Sequence, residues 1–369
     1  MEAILIEINL NAIASNLREI KKYVGNKVKI MPVIKADAYG HGLVPVGKTL
    51  AENGADFLAV SYVSEAISLR KAGIDTPIVI LLGISKEEIK AVFEYRLIPV
   101  IYHQEMATIL SKEAKRHKNK VEVFVKIDTG MGRLGIFYKE AISFLKRISS
   151  LSKLDILGIT SHLAVAESNK EFTKSQLNRF KKVLKDAREM GLRLPYNHIA
   201  NSAAILGYDN SLFDVIRPGL SIYGVYPAEH LKEKIKLEPA MSVKTKVIYI
   251  KWLPPNVGVS YGHTFITSKK TKIAVLPIGY DQGLFRQLSN KGQVLIKGKR
   301  APIIGTICMH LTMVDVTHIK DVSLGEEVVI MGKQNKEEIT AEEIAKKANT
   351  ISYDILCRFG KNYQRRYIC

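Results

Sequence analysis

A chain of 369 residues is long for a single core and points to two domains, and a hydrophobic content of 47% argues against a largely disordered protein. The net charge of +19 suits anionic ligands, but the basic residues are scattered; the densest runs, Lys112 to Lys120, Arg179 to Lys182 and Arg365-Arg366, read as solvated faces, not as a nucleic-acid or membrane surface. No stretch reaches the ~20 apolar residues of a membrane span, Met1 to Glu7 does not read as a signal peptide, and Cys308, Cys357 and Cys369 lack metal spacing and fit a reducing compartment, so the expected location is cytoplasmic.

Ile4 to Leu10 alternates like a half-buried strand, and Asn11 looks like the cap of a helix with Ile13, Leu17, Ile20 and Val24 on one face and Gly25 at its stop. Apolar strand-like runs then recur at Val28–Ile34, Asp56–Val60, Ile78–Leu82, Ile98–Tyr102, Val121–Ile127, Ile156–Ser161, Asn197–Ala200 and Asp214–Arg217. Helical patterns lie between most of them: Leu43–Ala51, Ser64–Lys71, Glu87–Tyr95, Gln104–Arg116, Lys139–Ile148 and Glu171–Met190, with a short one at Ser202–Gly207. This rhythm predicts an α/β fold, a parallel (β/α)8 barrel of the TIM type, with a doubly wound sheet as the alternative. The roughly 230 residues involved are close to the ~250 typical of the barrel. After Leu237 strands dominate: Ser242–Trp252, Lys272–Pro277, Gln293–Ile296, Ile303–Thr306, Thr312–Val316 and Glu327–Met331, then helices at Thr340–Ala348 and Tyr353–Phe359. The predicted domains are a barrel at 1–237 and a mostly β domain at 238–369, with residues 1–10 able to pair with the second.

A barrel of this kind carries its site at the C-terminal ends of its strands. The first run delivers Lys35, and a lysine with its stem in apolar surroundings can lose its proton and become a nucleophile. The third ends at Leu82-Gly83, the fifth at Lys126 to Arg133, the sixth at Ser161-His162, the seventh at Asn201-Ser202 and the eighth at Arg217-Pro218-Gly219. Singly, each has an ordinary structural reading: Lys35 a snorkelling surface residue, His162 a core histidine, Arg217 a salt bridge, Asn201 a helix cap. Together they gather amines, guanidiniums, hydroxyls and the amides of Gly219, Leu220 and Ser221 on one rim, suited to a phosphate-bearing ligand.

The run Val33-Ile34-Lys35-Ala36-Asp37-Ala38-Tyr39-Gly40-His41-Gly42 resembles the cofactor-lysine motif of the alanine racemases, fold-type III pyridoxal 5′-phosphate enzymes. Asp128 to Gly135, Asn201 to Ala204, Arg217-Pro218-Gly219, Val259 to Gly262, Pro277 to Tyr280, Ile307-Cys308-Met309 and Ser352-Tyr353 are similar to motifs of that family, in the same order and across both predicted domains. The resemblance implies an isomerase that interconverts L- and D-alanine with two bases and supplies D-alanine for peptidoglycan. It implies that Lys35 carries the cofactor and is the base on the D face, and that Tyr261, from the second domain of the partner subunit of a homodimer, is the base on the L face. Tyr39, Ser202, Gly219, Leu220 and Tyr353 would hold the phosphate, with Asn201 in support; Leu82 would lie against the cofactor, His162 on its ring, and Arg217 at the ring nitrogen. Arg133, Met309 and Tyr280 would meet the substrate, and Lys126 would be carbamylated to pair with Arg133. Alternatives are a broad-specificity or serine racemase, a fold-type III decarboxylase, and a non-catalytic binding protein of one barrel.

Two departures stand against that pattern. The family's Gly-Arg-Ile-Cys-Met-Asp reads Gly305-Thr306-Ile307-Cys308-Met309-His310 here, and its Tyr-Ala-Asp-Gly reads Tyr280-Asp281-Gln282-Gly283. Both leave Lys35 and Tyr261 in place. They predict a looser entry, near Glu167 and Arg286, and a substrate range shifted toward serine.

Overall fold

The computed structural model describes residues 4–361 and 363–369; Met1, Glu2 and Ala3 of the amino-terminal stretch read above lie outside the described residues. The chain divides into two compact units, one formed by 13–38 and 43–238, the other by the described residues up to Ala12, by Tyr39–Gly42 and by the described residues from Pro239 onward.

The first unit is a closed parallel barrel ringed by helices. Leu58–Val60 pairs with Ile78–Ile80, which pairs with Leu97–Ile101; that strand pairs with Val121–Asp128, which pairs with Leu154–Thr160. Lone bridges join Val33 to Ala59 and Thr160 to His198, Arg217 N donates to Ala200 O at 3.0 Å, and Lys29–Ile30 pairs with Val215–Ile216 to close the circle. The strand residues are mostly Val and Ile, buried on both sides, because helices cover the outside and side chains fill the lumen.

Two of the expected strands are cut short, each for a local reason. The run Val28–Ile34 keeps regular pairing only at Lys29–Ile30; Pro32 has no N–H to give a ladder, and the Asp56 carboxylate accepts from Ile30 N at 2.9 Å. The run Asn197–Ala200 keeps one bridge, at His198. There the Asn197 side chain replaces the ladder, its Oδ1 accepting from Ile159 N at 3.0 Å and its Nδ2 donating to Leu194 O at 2.7 Å.

The second unit is built on a mixed sheet in the order Lys299–Pro302, Gln293–Ile296, Glu327–Gln334, Met241–Lys246, Leu5–Asn9, Arg365–Ile368. The strand Leu5–Asn9 lies antiparallel to Met241–Lys246 and parallel to Arg365–Ile368. The expected strand Ser242–Trp252 is two strands, because the chain changes sheets: Val247 N donates to Glu326 O, and Ile248 N to Val275 O. The expected strand Ile303–Thr306 is absent apart from a bridge at Ile303, since Gly305 turns the backbone to φ 74°. Arg365, read above as part of a solvated run, is a half-buried strand residue. Thr340 caps the helix Ala341–Ala348, its hydroxyl accepting from Glu343 N at 3.1 Å. Among the described residues no helix is long and apolar enough to cross a membrane, and no group of His, Cys, Asp or Glu is arranged to hold a metal.

Candidate active site

Lys35 is half-buried and opens a short turn, Lys35–Tyr39, whose handedness is reversed. Ala36, Asp37 and Ala38 sit near φ 53° and ψ 50°, and Tyr39 at φ 53°. A left-handed helix of L-residues costs about 1–2 kcal/mol per residue, so the turn needs external support. Glu65 supplies part of it: its carboxylate accepts from Ala36 N at 2.7 Å, Ser61 N at 2.8 Å and Tyr62 N at 3.1 Å. Asp37 accepts from Leu43 N at 2.6 Å. In the second unit, Gly40 at φ 81° lies so close to the helix Ser352–Gly360 that a Cβ there would sit 2.5 Å from Leu356 O. That packing sets Tyr39 and Tyr353 with ring centroids 5.6 Å apart. Burial raises the buried Tyr39 phenol far above its usual value.

Four cations, Lys35, Lys126, Arg133 and Arg217, gather at one end of the barrel. Lys126 pairs across strands with Thr160, and Thr160 with His198, so three inward positions form a row. Arg217 is buried beside that row. It donates to Ser161 O at 2.7 Å, Ile199 O at 3.2 Å and Thr160 Oγ1 at 3.2 Å, bonds His198 Nδ1, and stands 3.5 Å from His162 Nδ1. Burial lowers Arg217 only to about 10, so it stays charged at neutral pH. Lys126 falls to about 7, first through desolvation and then through Arg217 and Arg133, with Lys35 adding to the depression and Asp128 opposing it. His162 is held well below the ordinary histidine value by burial and then by Lys126, Arg217, Arg133 and Lys35, and is neutral. His198 is neutral for the same kind of reason.

Asp128 does not neutralise the cluster by contact. Its carboxylate accepts from the amides of Gly130 at 2.8 Å, Met131 at 2.8 Å and Gly132 at 2.9 Å, shaping the turn that carries the exposed Arg133. Among the described residues Lys126 has no carboxylate within ion-pair distance. The His162 loop is fixed by Gln176, which donates to His162 O at 3.1 Å and accepts from Ala164 N at 2.9 Å.

A second cluster lies at the end of the eighth strand. The Ser202 hydroxyl accepts from Gly219 N at 2.9 Å, Ser221 N at 3.3 Å and Ser221 Oγ at 3.1 Å, with Leu220 between them. Asn201 caps the helix Ser202–Gly207, accepting from Ala204 N at 3.0 Å. Leu82 is exposed after the third strand, its carbonyl accepting from Tyr102 at 2.7 Å. Buried amides and hydroxyls, beside a barrel end rich in cations, make a donor set suited to a phosphate-bearing aromatic cofactor such as pyridoxal 5′-phosphate.

In the second unit the remaining expected residues meet in one hydrogen-bonded knot. Tyr261 sits at the tip of a hairpin between Gly258–Val259 and Phe265–Ile266, 73% exposed. Ser260 before it has φ 64° and ψ −172°, a region that belongs almost only to glycine and costs about 1–3 kcal/mol. Ser260 Oγ donates to Thr306 O at 2.6 Å, and Thr306 Oγ1 donates to Tyr261 O at 2.9 Å. Tyr280 N donates to Cys308 O and Asp281 N to Met309 O, both at 3.1 Å, so the loops bearing Tyr280 and Met309 are zipped together. Met309 and Tyr280 are exposed, and a concavity of about 550 Å³ lies beside Tyr261, lined by Val259, His263, Cys308 and Leu311 among others.

Sequence reasoning missed Glu65, Gln176 and His198. The spacing of Glu65 behind Ser61-Tyr62 is a helix-start signal, and His198 occupies an inward position of a barrel strand. Gln176, on a helix of regular polar-apolar rhythm, gave none.

The family described as "Alanine racemase, N-terminal domain" matches residues 8–227, and "Alanine racemase, C-terminal domain" matches residues 240–367. The alanine racemase of Halothermothrix orenii is 43% identical, covering 98% of this chain and 96% of its own. The alanine racemase structure from Clostridium difficile is 36% identical with a TM-score of 0.91, covering 100% of this chain and 96% of that one. That from Bartonella henselae, with covalently bound pyridoxal phosphate, is 30% identical with a TM-score of 0.89 and full coverage of both, 100% each.

Proposed function

The chain belongs to the alanine racemase family, and from that premise we propose how its own residues carry out the reaction it catalyses, the pyridoxal 5′-phosphate-dependent interconversion of L-alanine and D-alanine. When bound, the cofactor supplies an electron-withdrawing ring that acidifies the substrate's Cα proton. Lys35 holds it covalently and removes or returns that proton on the D face. Tyr261 does the same on the L face; racemisation requires a base on each side, and an amine and a phenol suffice.

The other residues orient and tune. Arg217 would hold the ring at its nitrogen, where a buried cation would keep a proton off that nitrogen and restrain side reactions. His162, neutral, would pack on the ring, and Leu82 would lie against the cofactor. Ser202, Gly219, Leu220, Tyr39 and Tyr353 hold the phosphate, with Asn201 behind them. Arg133 and the amide of Met309 take the substrate carboxylate, and Tyr280 lines the way in. Lys126, depressed to about 7 by its cationic surroundings, has the neutral amine that adds CO₂. The product is a carbamate anion plus a released proton, and the anion pairs with Arg133.

The working form is a homodimer in which Tyr261 serves a second copy's barrel. The support is the exposure of Tyr261 and of three further large apolar side chains of the second unit, Trp252, Met309 and Ile266. The two domains are a barrel within 1–237, a range whose first strand, Leu5–Asn9, pairs with the other domain, and a mostly β domain at 238–369; the enzyme works in the cytoplasm, supplying D-alanine for peptidoglycan.

The observation that carries this reading is the convergence of Lys35, Lys126, Arg133, His162 and Arg217 on one another's charges at the end of the barrel. The test is chiral chromatography of L-alanine incubated with the cofactor-loaded protein. Borohydride reduction should fix the cofactor on the peptide containing Lys35, and Lys35→Ala should abolish racemisation. Label on a different lysine would remove the assignment.

A further inference from the structure

We propose that Thr306 is a positioning residue for Tyr261, fixing its turn through a one-way chain of hydroxyl hydrogen bonds. The inference rests on the reading of Tyr261 as the base on the L face.

The chain has three links. Asn290 Nδ2 lies 3.0 Å from Thr264 Oγ1, Thr264 Oγ1 lies 3.2 Å from Thr306 Oγ1, and Thr306 Oγ1 lies 2.9 Å from Tyr261 O. An amide nitrogen only donates and a carbonyl only accepts, while each hydroxyl has one proton. Thr306 therefore spends its proton on Tyr261, Thr264 must donate to Thr306, and Asn290 must donate to Thr264. Asn290 closes the circuit with its other amide atom, Oδ1, which accepts from Gly305 N at 2.6 Å, next to Thr306. Thr306 is buried, and its own carbonyl accepts from Ser260 Oγ at 2.6 Å. It thus grips both residues at the start of the turn.

The turn needs that grip. Ser260 and His263 have φ of 64° and 43°, a region that non-glycine residues leave when unrestrained. The Tyr261 side chain has little packing of its own, being 73% exposed. Its direction is inherited from the backbone, and Thr306 holds that backbone at Tyr261's own carbonyl. The family pattern has arginine here. A guanidinium has donors and no acceptor, so an arginine at 306 could not take the Thr264 proton.

The test compares the cofactor-loaded wild type with T306V, T306S and Y261F. Cα deuterium uptake is measured separately from L-alanine and from D-alanine in deuterium oxide, alongside KM and kcat. T306V should lose about tenfold in the rate of exchange from L-alanine, with exchange from D-alanine and KM within about twofold, since a small misplacement of one base costs rate on its own face. T306S, which keeps the hydroxyl, should recover most of the loss. Equal losses from both enantiomers in T306V, or no loss, while Y261F is selectively impaired, would overturn the positioning role and leave the reading of Tyr261 standing. If Y261F exchanges both enantiomers normally, that reading fails and this one with it. Should T306V fail to fold or load, T264V at the exposed link serves instead: a smaller one-sided loss supports the chain, and a two-sided or absent loss refutes it.

Discussion

Gln282 Nε2 lies 2.7 Å from His310 Nδ1, so two positions at which this chain leaves the family pattern meet each other. The Gln282 amide is fully used: Oε1 accepts from Gly279 N at 2.8 Å, and Nε2 also donates to Asp281 Oδ2 at 3.1 Å. A carboxylate at 282 could donate neither bond. The changes at 282 and 310 are therefore a matched pair that ties the Tyr280 loop to the Met309 loop. Gln282→Ala should leave the buried Gly279 amide without its acceptor and cost about 1–3 kcal/mol, read as a fall in the urea midpoint. It should raise KM for alanine more than it lowers kcat. An unchanged midpoint would show that the pair carries no structural role.

The buried cations make a pH-dependent prediction at Lys126. Its amine is held down to about 7, so the unprotonated form that reacts with CO₂ gains population as pH rises through that value. With carbon-13 bicarbonate, a carbamate signal should grow from pH 6 to pH 8 and be absent in Lys126→Ala. The linkage sign is the reverse of a stabilising lysine. The folded state binds this proton less tightly than the unfolded chain, so the cost of burying Lys126 is fully present below about 7 and is relieved as pH rises above it. A bare ammonium at pH 8 in bicarbonate would refute the carbamate.

Assembly should be required for activity. If Tyr261 serves a second copy, serial dilution should lower specific activity together with the dimer fraction seen by analytical ultracentrifugation. Trp252→Asp, at an exposed aromatic side chain of the second unit, should shift both curves to higher concentration. Full specific activity in a monomeric sample would sink the shared site.

Substrate range is the remaining prediction. Thr306 and His310 replace two charged residues of the family pattern, and the entry should admit a hydroxymethyl group more readily. Restoring both, in Thr306→Arg with His310→Asp, should raise the alanine-to-serine ratio of kcat/KM by roughly three- to tenfold, the scale of one small group in a pocket. The ratio is the readout, since the double variant also breaks the Thr264 link and lowers both rates. An unchanged ratio would mean that these positions do not select size.

Much of this architecture was legible in the sequence because it is written in periodicity. The barrel strands are short runs of Val and Ile between helical faces, and Lys35, Lys126, His162 and Arg217 stand where such runs end. What was hidden depends on partners far along the chain. Nothing in Ala36-Asp37-Ala38 announces positive φ; that conformation is imposed by the surroundings, Glu65 and Asp37 among them. Asn197 looked like an ordinary strand residue until its side chain took over the ladder bond of Ile159. The switch of sheets at Val247-Ile248 lies inside an unbroken strand-like pattern. Arg365–Ile368 was masked by its charges, although pairing with Leu5–Asn9 needs only its backbone.

The reversed turn after Lys35 also bears on the order in which this protein takes shape and comes apart. A segment whose own torsions disfavour its native form cannot nucleate; it must wait until Glu65 on its own helix and the Gly40 contact with the helix Ser352–Gly360 are in place. The segment Lys35–Tyr39 is therefore a late event in folding and an early one in local opening. Its amides should exchange with solvent well before those of the neighbouring strand Leu58–Val60, which would set Lys35 on a weakly protected stretch of the barrel.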